Sequence, residues 1–323
     1  MTKTFDATST TDEVLDGVRL DGKRVLVTGV SAGLGVETAR VLAAHGADVV
    51  GTVRNLDKGK TATAEIDQDR LTLIEMDLAS LTSVRKATDQ LNADGRQFDL
   101  VIANAGVMAP PLGHTVDGFE TQFGTNHLGH FVFVNRIFPL FKAGSRLVNL
   151  SSSGHRYSDV NLEDPNFEHT HYEPFLGYGR SKTANILFAV EFDRRHRDAG
   201  VRATAVHPGG IQTELSRHLE PGSLDGMLKG INEKLAAQGK PAYQFKTVPQ
   251  GAATSVWAGV VALADEVAAH FCEDCHVSQI VPMDREIGIA EGGVRAYALD
   301  PERAKALWAK SEEMVGERFP AAN

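Results

Sequence analysis

The most constraining stretch of this sequence is a glycine-bearing turn with a strand before it and a helix after it. Arg24-Val25-Leu26-Val27-Thr28 reads as a short buried strand, and it runs without a linker into Thr28-Gly29-Val30-Ser31-Ala32-Gly33-Leu34-Gly35. From Leu34 to His45, Val36, Ala39 and Ala43 recur at helical spacing, and Gly46 stands where a C-terminal cap belongs. Glycines at such a turn let the backbone bend tightly and approach a pyrophosphate, whose charge is met by the helix N-terminus. Three glycines this close together also occur in ordinary loops. The flanking strand and helix are what favour a nucleotide-phosphate loop built from Gly29, Ser31, Gly33, Leu34 and Gly35.

Further apolar runs alternate with helical patterns: Ala47 to Val53, Leu71 to Met76, Leu100 to Ala103, Arg146 to Leu150 and Val201 to Val206. Most are apolar on both faces, as strands of a helix-covered parallel sheet must be. Six strands with helices between them predict an α/β fold, a doubly wound Rossmann-type parallel sheet. No repeat, low-complexity tract or linker divides the chain. The expected organisation is a polar N-terminal leader over residues 1–20 and a single domain over 21–323. After Thr213 the pattern loosens. Pro221-Gly222 and a polar stretch through Pro241 predict a mobile substrate flap over about 213–248, followed by a helical pattern from Gln250 to Ala264. A last helix around Pro301 to Val315, with Ala304, Leu307, Trp308 and Ser311 on one side, predicts a C-terminal helical extension packed on the body.

A net charge of −9 and the absence of a Lys/Arg run argue against nucleic acid, because phosphate neutralisation needs clustered cations. Cys272 and Cys275 are the only cysteines, so no disulfide framework is expected. His270 and His276 flank them, but a structural zinc site wants four ligands and no second Cys/His cluster exists, so no metal is expected. Met1 to Gly22 has no apolar core to serve as a signal peptide, and apolar runs elsewhere fall short of the ~18 residues that span a bilayer. The expectation is a soluble, cytoplasmic chain with no membrane partner.

Of the five tyrosines, only Tyr178 has a lysine four residues on, Lys182, and both fall in an amphipathic helical pattern. Positions i and i+4 share a helix face. A phenol titrates near ~10, and an adjacent ammonium favours phenolate. Such a pair alone is a weak signal, since a surface helix supplies it by chance.

Taken with the motifs around it, the chain resembles the short-chain dehydrogenases/reductases in their standard single-domain subfamily. The glycine loop has that family's Gly-x-x-x-Gly-x-Gly spacing. Asp77-Leu78 follows the third strand, Asn104-Ala105-Gly106 closes the fourth, and Asn126 lies in Thr125-Asn126-His127-Leu128-Gly129. Ser151-Ser152-Ser153 ends the fifth strand, and Pro208-Gly209-Gly210-Ile211-Gln212-Thr213 follows the sixth. Arg54-Asn55, His155, Pro249-Gln250-Gly251-Ala252-Ala253, Glu273-Asp274-Cys275 and Leu307-Trp308 are similar to the retinol-dehydrogenase-like and WW-domain-oxidoreductase-like branch.

The resemblance implies an oxidoreductase that moves a hydride between a nicotinamide cofactor and an alcohol or carbonyl. Tyr178 would be the acid/base, Lys182 would lower its pKa and hold the nicotinamide ribose, and Ser152 would hydrogen-bond the reacting oxygen. Asn126 would hold a water that links Lys182 to solvent. Cofactor contacts would come from the glycine loop, Arg54, Asp77, Leu78, Asn104, Gly106, Tyr178, Lys182, Pro208, Gly209, Ile211 and Thr213. The end of the second strand, Thr52-Val53-Arg54, lacks the carboxylate that NAD enzymes aim at the ribose. Arg54, with Lys58 nearby, suits a 2′-phosphate, so NADP(H) is the expected cofactor and NAD(H) the alternative. His155 to Gly177 either walls the substrate pocket or is a wet surface loop. The helices over Asp117 to Phe141 and Tyr178 to His196 are expected to form a homodimer or homotetramer bundle. A catalytically inactive dinucleotide sensor is the rival function, and retention of both Tyr178 and Lys182 disfavours it.

Overall fold

The strand-to-helix switch at the glycine turn is the first crossover of a long parallel sheet. A computed structural model describes residues 4–321 except 221 and 289. Along the chain run α1 (Thr11–Leu15), β1 (Arg24–Thr28), α2 (Gly33–Ala44), β2 (Asp48–Val53), α3 (Leu56–Ala62), β3 (Leu71–Glu75), α4 (Leu81–Asp94) and β4 (Phe98–Ala103). Then come α5 (Gly129–Arg136), β5 (Phe141–Leu150), α6 (Pro174–His196), β6 (Arg202–His207), α7 (Ser223–Ala237), α8 (Val248–Val256) and α9 (Ala264–Val267). Short strands β7 (Phe271–Glu273), β8 (His276–Val277), β9 (Ile280–Val281) and β10 (Val294–Arg295) precede α10 (Pro301–Val315).

The sheet order is β3-β2-β1-β4-β5-β6-β7-β8, parallel as far as β7, with β8 antiparallel at the edge. This is the doubly wound Rossmann arrangement. The order reverses at β1, and the crevice outside the carboxyl ends of β1 and β4 is where such sheets bind ligands. Both faces of β1 are covered, which is why its centre, Val25-Leu26-Val27, is apolar without a break. Val25 and Val27 pack with α2 and α8, and Leu26 packs on the opposite face with α4 and α5.

Four expectations change. The sheet has a seventh parallel strand, β7, which is only three residues long and carries Cys272 and Glu273, too short and polar to announce itself. The N-terminal leader is not a loose polar tail. Thr10 and Glu13 form a capping box on α1, whose Val14 and Leu15 are buried against α2 and α8, and Arg40 pairs with Asp12. Only a few apolar residues do this, which is why the acidic stretch looked featureless. The flap is not irregular either: α7 occupies its middle, with Leu224, Met227 and Ile231 on one side. Gly226 and Gly230 lower its helix propensity and masked the pattern. Pro221, which marked the flap's start, lies outside the described residues.

The fourth change concerns the expected dimer face. The helix read over Asp117 to Phe141 is a π-helical turn at Phe123–Leu128 followed by α5, and Phe141 already begins β5. The outer faces of α5 and α6 are covered by α10 of the same chain. Trp308 packs edge-on to Phe131 at 5.0 Å between ring centres and lies under the Arg195 guanidinium at 4.1 Å. His127 Nε2 bonds Ser311 Oγ at 2.7 Å inside this contact. A bundle with a second copy through this face would have to displace α10. The α10 boundaries themselves match the expected ones, with Asp300 as N-cap and Gly316 as the left-handed C-cap.

Candidate active site

The carboxyl ends of β1, β2, β4, β5 and β6 meet at one cleft along the edge of the sheet. Thr28, the last residue of β1, organises its floor. Its hydroxyl accepts the Asn104 and Ala105 backbone N–H groups at 2.9 and 3.0 Å. The same hydroxyl donates to His130 Nε2 at 2.9 Å, because His130 Nδ1 is committed to the Asn126 carbonyl. Asn104 Nδ2 in turn donates to the Thr28 carbonyl at 2.8 Å. The ends of β1 and β4 are thereby locked side by side.

The glycine loop sits on this floor. Gly29 and Gly33 adopt φ of +77° and +54°, the left-handed region that favours glycine. Gly35 is needed for closeness instead: a Cβ there would lie 2.8 Å from Asn104 Nδ2 and run into the Gly29 carbonyl. Gly35 therefore supports the loop and does not line the cleft, whereas Gly29, Ser31, Gly33 and Leu34 do. The N-terminus of α2 has no side-chain cap, since Ala32 holds the N-cap position. Its free N–H groups and macrodipole face the cleft, the arrangement that accepts a phosphate.

Around this loop the cleft is lined by Arg54, Asp77, Leu78, Asn104 and Gly106 on one flank and by Pro208, Gly209, Ile211 and Thr213 on the other. Arg54 is exposed at the end of β2, and among the described residues no ion pair engages it. Asp57 is a first-turn residue of α3, and Lys58 donates its backbone N–H to Asn55 Oδ1. Gly209 has φ +98°, and the Gly210 carbonyl accepts from Lys246 N at 2.9 Å, which ties the loop after β6 to the flap's far end. Thr213 packs over Gly33. These residues fit a dinucleotide: a glycine cradle that any Cβ would fill, an uncapped helix N-terminus for the pyrophosphate, and an unpaired guanidinium at the ribose end.

The chemistry-bearing side chains meet where this cleft deepens. Tyr178 and Lys182 lie one turn apart on α6 and are both buried. Tyr178 and Ser152 both line the cleft, and the Ser152 hydroxyl acts to lower the phenol's pKa. Gly154 lets the tyrosine ring approach, since a Cβ there would meet ring carbons at 2.7 Å. Lys182 Nζ donates to the Leu150 carbonyl at 3.2 Å. The serines divide their tasks: Ser151 Oγ is committed to the Lys182 carbonyl at 2.7 Å, while Ser152 Oγ accepts from Gly154 N at 3.0 Å.

Burial pushes the Tyr178 phenol up to about 12, a rise the Ser152 hydroxyl opposes, and pushes Lys182 down to about 8. In this structure the expectation that Lys182 draws the phenol toward working pH is not met. Desolvation raises the phenol and lowers the ammonium, and Nζ is directed at a backbone carbonyl.

Asn126 does not line the cleft. Its Oδ1 accepts from Val107 N at 2.8 Å, and its Nδ2 donates to the Val107 carbonyl and to Ser181 Oγ, each at 2.9 Å. Through Val107 it holds the strand-end backbone beside Gly106 and Lys182.

Sequence reasoning missed the apolar half of the cleft. Leu224, Met227 and Ile231 of α7, with Tyr243 and Phe245, face Val107 and Met108 across it. The spacing of Leu224, Met227 and Ile231 was the available signal. Of the segment after Ser153, only Gly154, Tyr157 and Phe175 reach the cleft, and the two rings lie 5.6 Å apart. His155, His169, His171 and Tyr172 do not. His207, also missed, lines the cleft and accepts from Ser153 N at 3.2 Å. Cys272 and Cys275 are buried near Thr204 and Thr254. No helix among the described residues is long and apolar enough to cross a membrane.

Comparison with known proteins agrees with this geometry. The family model described as short chain dehydrogenase matches residues 23–223. A short-chain dehydrogenase/reductase of Penicillium roqueforti is 38% identical over 321 residues, covering 96% of this chain and 91% of that protein. Mouse retinol dehydrogenase 14 is 35% identical over 313 residues, covering 92% and 87%. Among solved structures, an uncharacterized protein from Mycobacterium paratuberculosis superposes with a TM-score of 0.73 at 33% identity, over 95% of this chain and 98% of the other. A Burkholderia cenocepacia short chain dehydrogenase in complex with NADP, 24% identical with a TM-score of 0.62, covers 80% and 98% and shares the fold.

Proposed function

The chain belongs to the short-chain dehydrogenase/reductase family, in its retinol-dehydrogenase-like branch, and on that premise we propose that it interconverts a hydrophobic carbonyl and its alcohol with NADP(H). The observation that carries this reading is the position of Tyr178. Its buried phenol lines the same cleft as Ser152, the glycine loop and the apolar residues of α7. When bound, the nicotinamide supplies or accepts the hydride.

The chain's own residues do the rest. Ser152 Oγ and the Tyr178 phenol converge on one point and hydrogen-bond the substrate oxygen there. As negative charge develops on that oxygen in reduction, Tyr178 gives up its proton to it, and in oxidation takes it back. Burial keeps the phenol protonated at neutral pH, the form that a proton donor requires. Lys182 supplies positive charge beside the tyrosine and donors for ribose hydroxyls. Asn126 keeps Val107 and the adjoining backbone in place. Leu224, Met227, Ile231, Tyr243 and Phe245 exclude water from the reacting carbon and select an apolar or aromatic substrate, a ketone or an aldehyde.

Arg54 supports NADP(H) over NAD(H), because its planar guanidinium lines the cleft and no ion pair among the described residues engages it. The test is NADPH consumption over a panel of aromatic and long-chain ketones and aldehydes, with Tyr178→Phe in parallel. Turnover by the wild type and its near-complete loss in Tyr178→Phe, with NADPH still bound, is the expected result. Undiminished turnover in Tyr178→Phe would overturn the mechanism.

A further inference from the structure

We propose that His155 is a positioning residue, a brace that carries the backbone of the C-terminal segment 291–297 onto the turn holding Ser152. The inference rests on the role given to Ser152 above. His155 is fully buried and does not touch the cleft. Its Nδ1 lies 2.7 Å from the Ser152 carbonyl, which only accepts, so Nδ1 carries the proton. Its Nε2 then offers a lone pair, and this accepts the Arg295 backbone N–H at 3.2 Å. The ring thus spans two backbone groups 143 residues apart in sequence. Both ends agree on a single neutral tautomer, and burial holds the imidazole down to about 3, so it does not titrate in the working range.

Neighbouring bonds make the brace stiff. The His155 carbonyl accepts from Tyr297 Oη at 2.7 Å and from Thr183 Oγ1, beside Lys182, at 3.1 Å. Arg156 donates to the Gly293 carbonyl through Nε and Nη2 and to the Glu291 carbonyl through Nη1. Gly293 N donates to the buried Glu273 carboxylate at 2.5 Å. On the other side His207 Nδ1 accepts Ser153 N–H, and the Phe271 ring packs against both imidazoles. Ser152 sits in extended backbone at the start of a 3₁₀ turn, with its carbonyl the group that His155 grips. Rotation of that peptide would swing Oγ away from Tyr178. Residues 291–297 lie beyond the 23–223 span of the family model, so the brace belongs to the longer architecture of this chain.

Arg295 offers a clean test because its φ of −77° already suits proline and Val294 before it is extended. Arg295→Pro removes the N–H that His155 accepts. Arg295→Ala removes only the guanidinium, which donates to the Pro282 and Arg285 carbonyls. With phenanthrenequinone and NADPH, kcat is expected to fall about 10- to 100-fold in Arg295→Pro, while Arg295→Ala stays near wild type. KM for NADPH should be unchanged in both. Equal kcat in the two variants would overturn the proposal. Nitrogen NMR of histidine-labelled protein reads the brace without turnover: His155 should appear as the neutral Nδ1–H tautomer in the wild type, and its Nε2 resonance should shift in Arg295→Pro, which removes the N–H that Nε2 accepts. An Nε2–H tautomer in the wild type would sink it. If the wild type reduces no carbonyl, the functional proposal fails and the NMR result alone decides the brace.

Discussion

Lys182 Nζ lies 5.6 Å from the centre of the Tyr178 ring, one helical turn along α6, and spends a proton on the Leu150 carbonyl. Each group is shifted chiefly by loss of water, the phenol up and the ammonium down.

The pH profile of reduction follows from this pair. Lys182 is held down to about 8, so its ammonium is intact below that pH and lost as pH rises through it. Tyr178, pushed up to about 12, keeps its proton throughout. In kcat/KM for carbonyl reduction we expect a descending limb centred near 8, and no matching fall on the mildly acidic side. Lys182→Arg, whose guanidinium stays charged, should move the limb to higher pH. A limb unmoved by that change would count against Lys182 as its source.

Arg54 should govern cofactor choice. A charge-assisted bond from its guanidinium to a 2′-phosphate is worth about 1.5–3 kcal/mol, so Arg54→Ala should raise KM for NADPH about 10- to 100-fold and leave KM for NADH nearly unchanged. Steady-state kinetics with both cofactors measure this directly, and equal losses for the two would remove Arg54 from the ribose site.

Gly154 is a glycine because of the tyrosine ring. A Cβ there would sit 2.7 Å from two ring carbons of Tyr178. Gly154→Ala must displace the ring from Ser152, and a shift of about 1 Å costs on the order of 100-fold in kcat. NADPH affinity, measured by fluorescence titration, should hold.

Trp308 anchors α10 to the body. It is almost fully buried between Phe131, Phe188 and Arg195. Trp308→Ala should cost about 3–5 kcal/mol in urea unfolding, the usual range for deleting a buried aromatic. Truncation before Asp300 would bare the faces of α5 and α6. Sedimentation should then show self-association that the full chain does not show through this face.

Much of the site was legible because the chemistry demands particular atoms at particular chain positions. The four-residue interval put Tyr178 and Lys182 on one helix face, and the motifs around them singled the pair out. The glycine loop announced itself because left-handed backbone at Gly29 and Gly33 excludes most other residues. The C-terminal helix was readable from Ala304, Leu307, Trp308 and Ser311. What escaped depends on partners distant in sequence. A neutral histidine such as His155 looks like any other until Arg295 and Ser152 are brought to its two nitrogens.

By itself, then, the sequence determined the parallel sheet and the glycine turn that follows its first strand. Each follows from local rules of backbone conformation and periodicity that act within a few residues. Only the tertiary structure decided that the stretch before Asp21 packs on α2, that α7 roofs an apolar pocket, and that α10 covers the face expected to be a dimer interface. It also decided how far burial shifts Tyr178 and Lys182. A pKa in a cleft is set by how much water the fold removes, and no spacing along the chain records that.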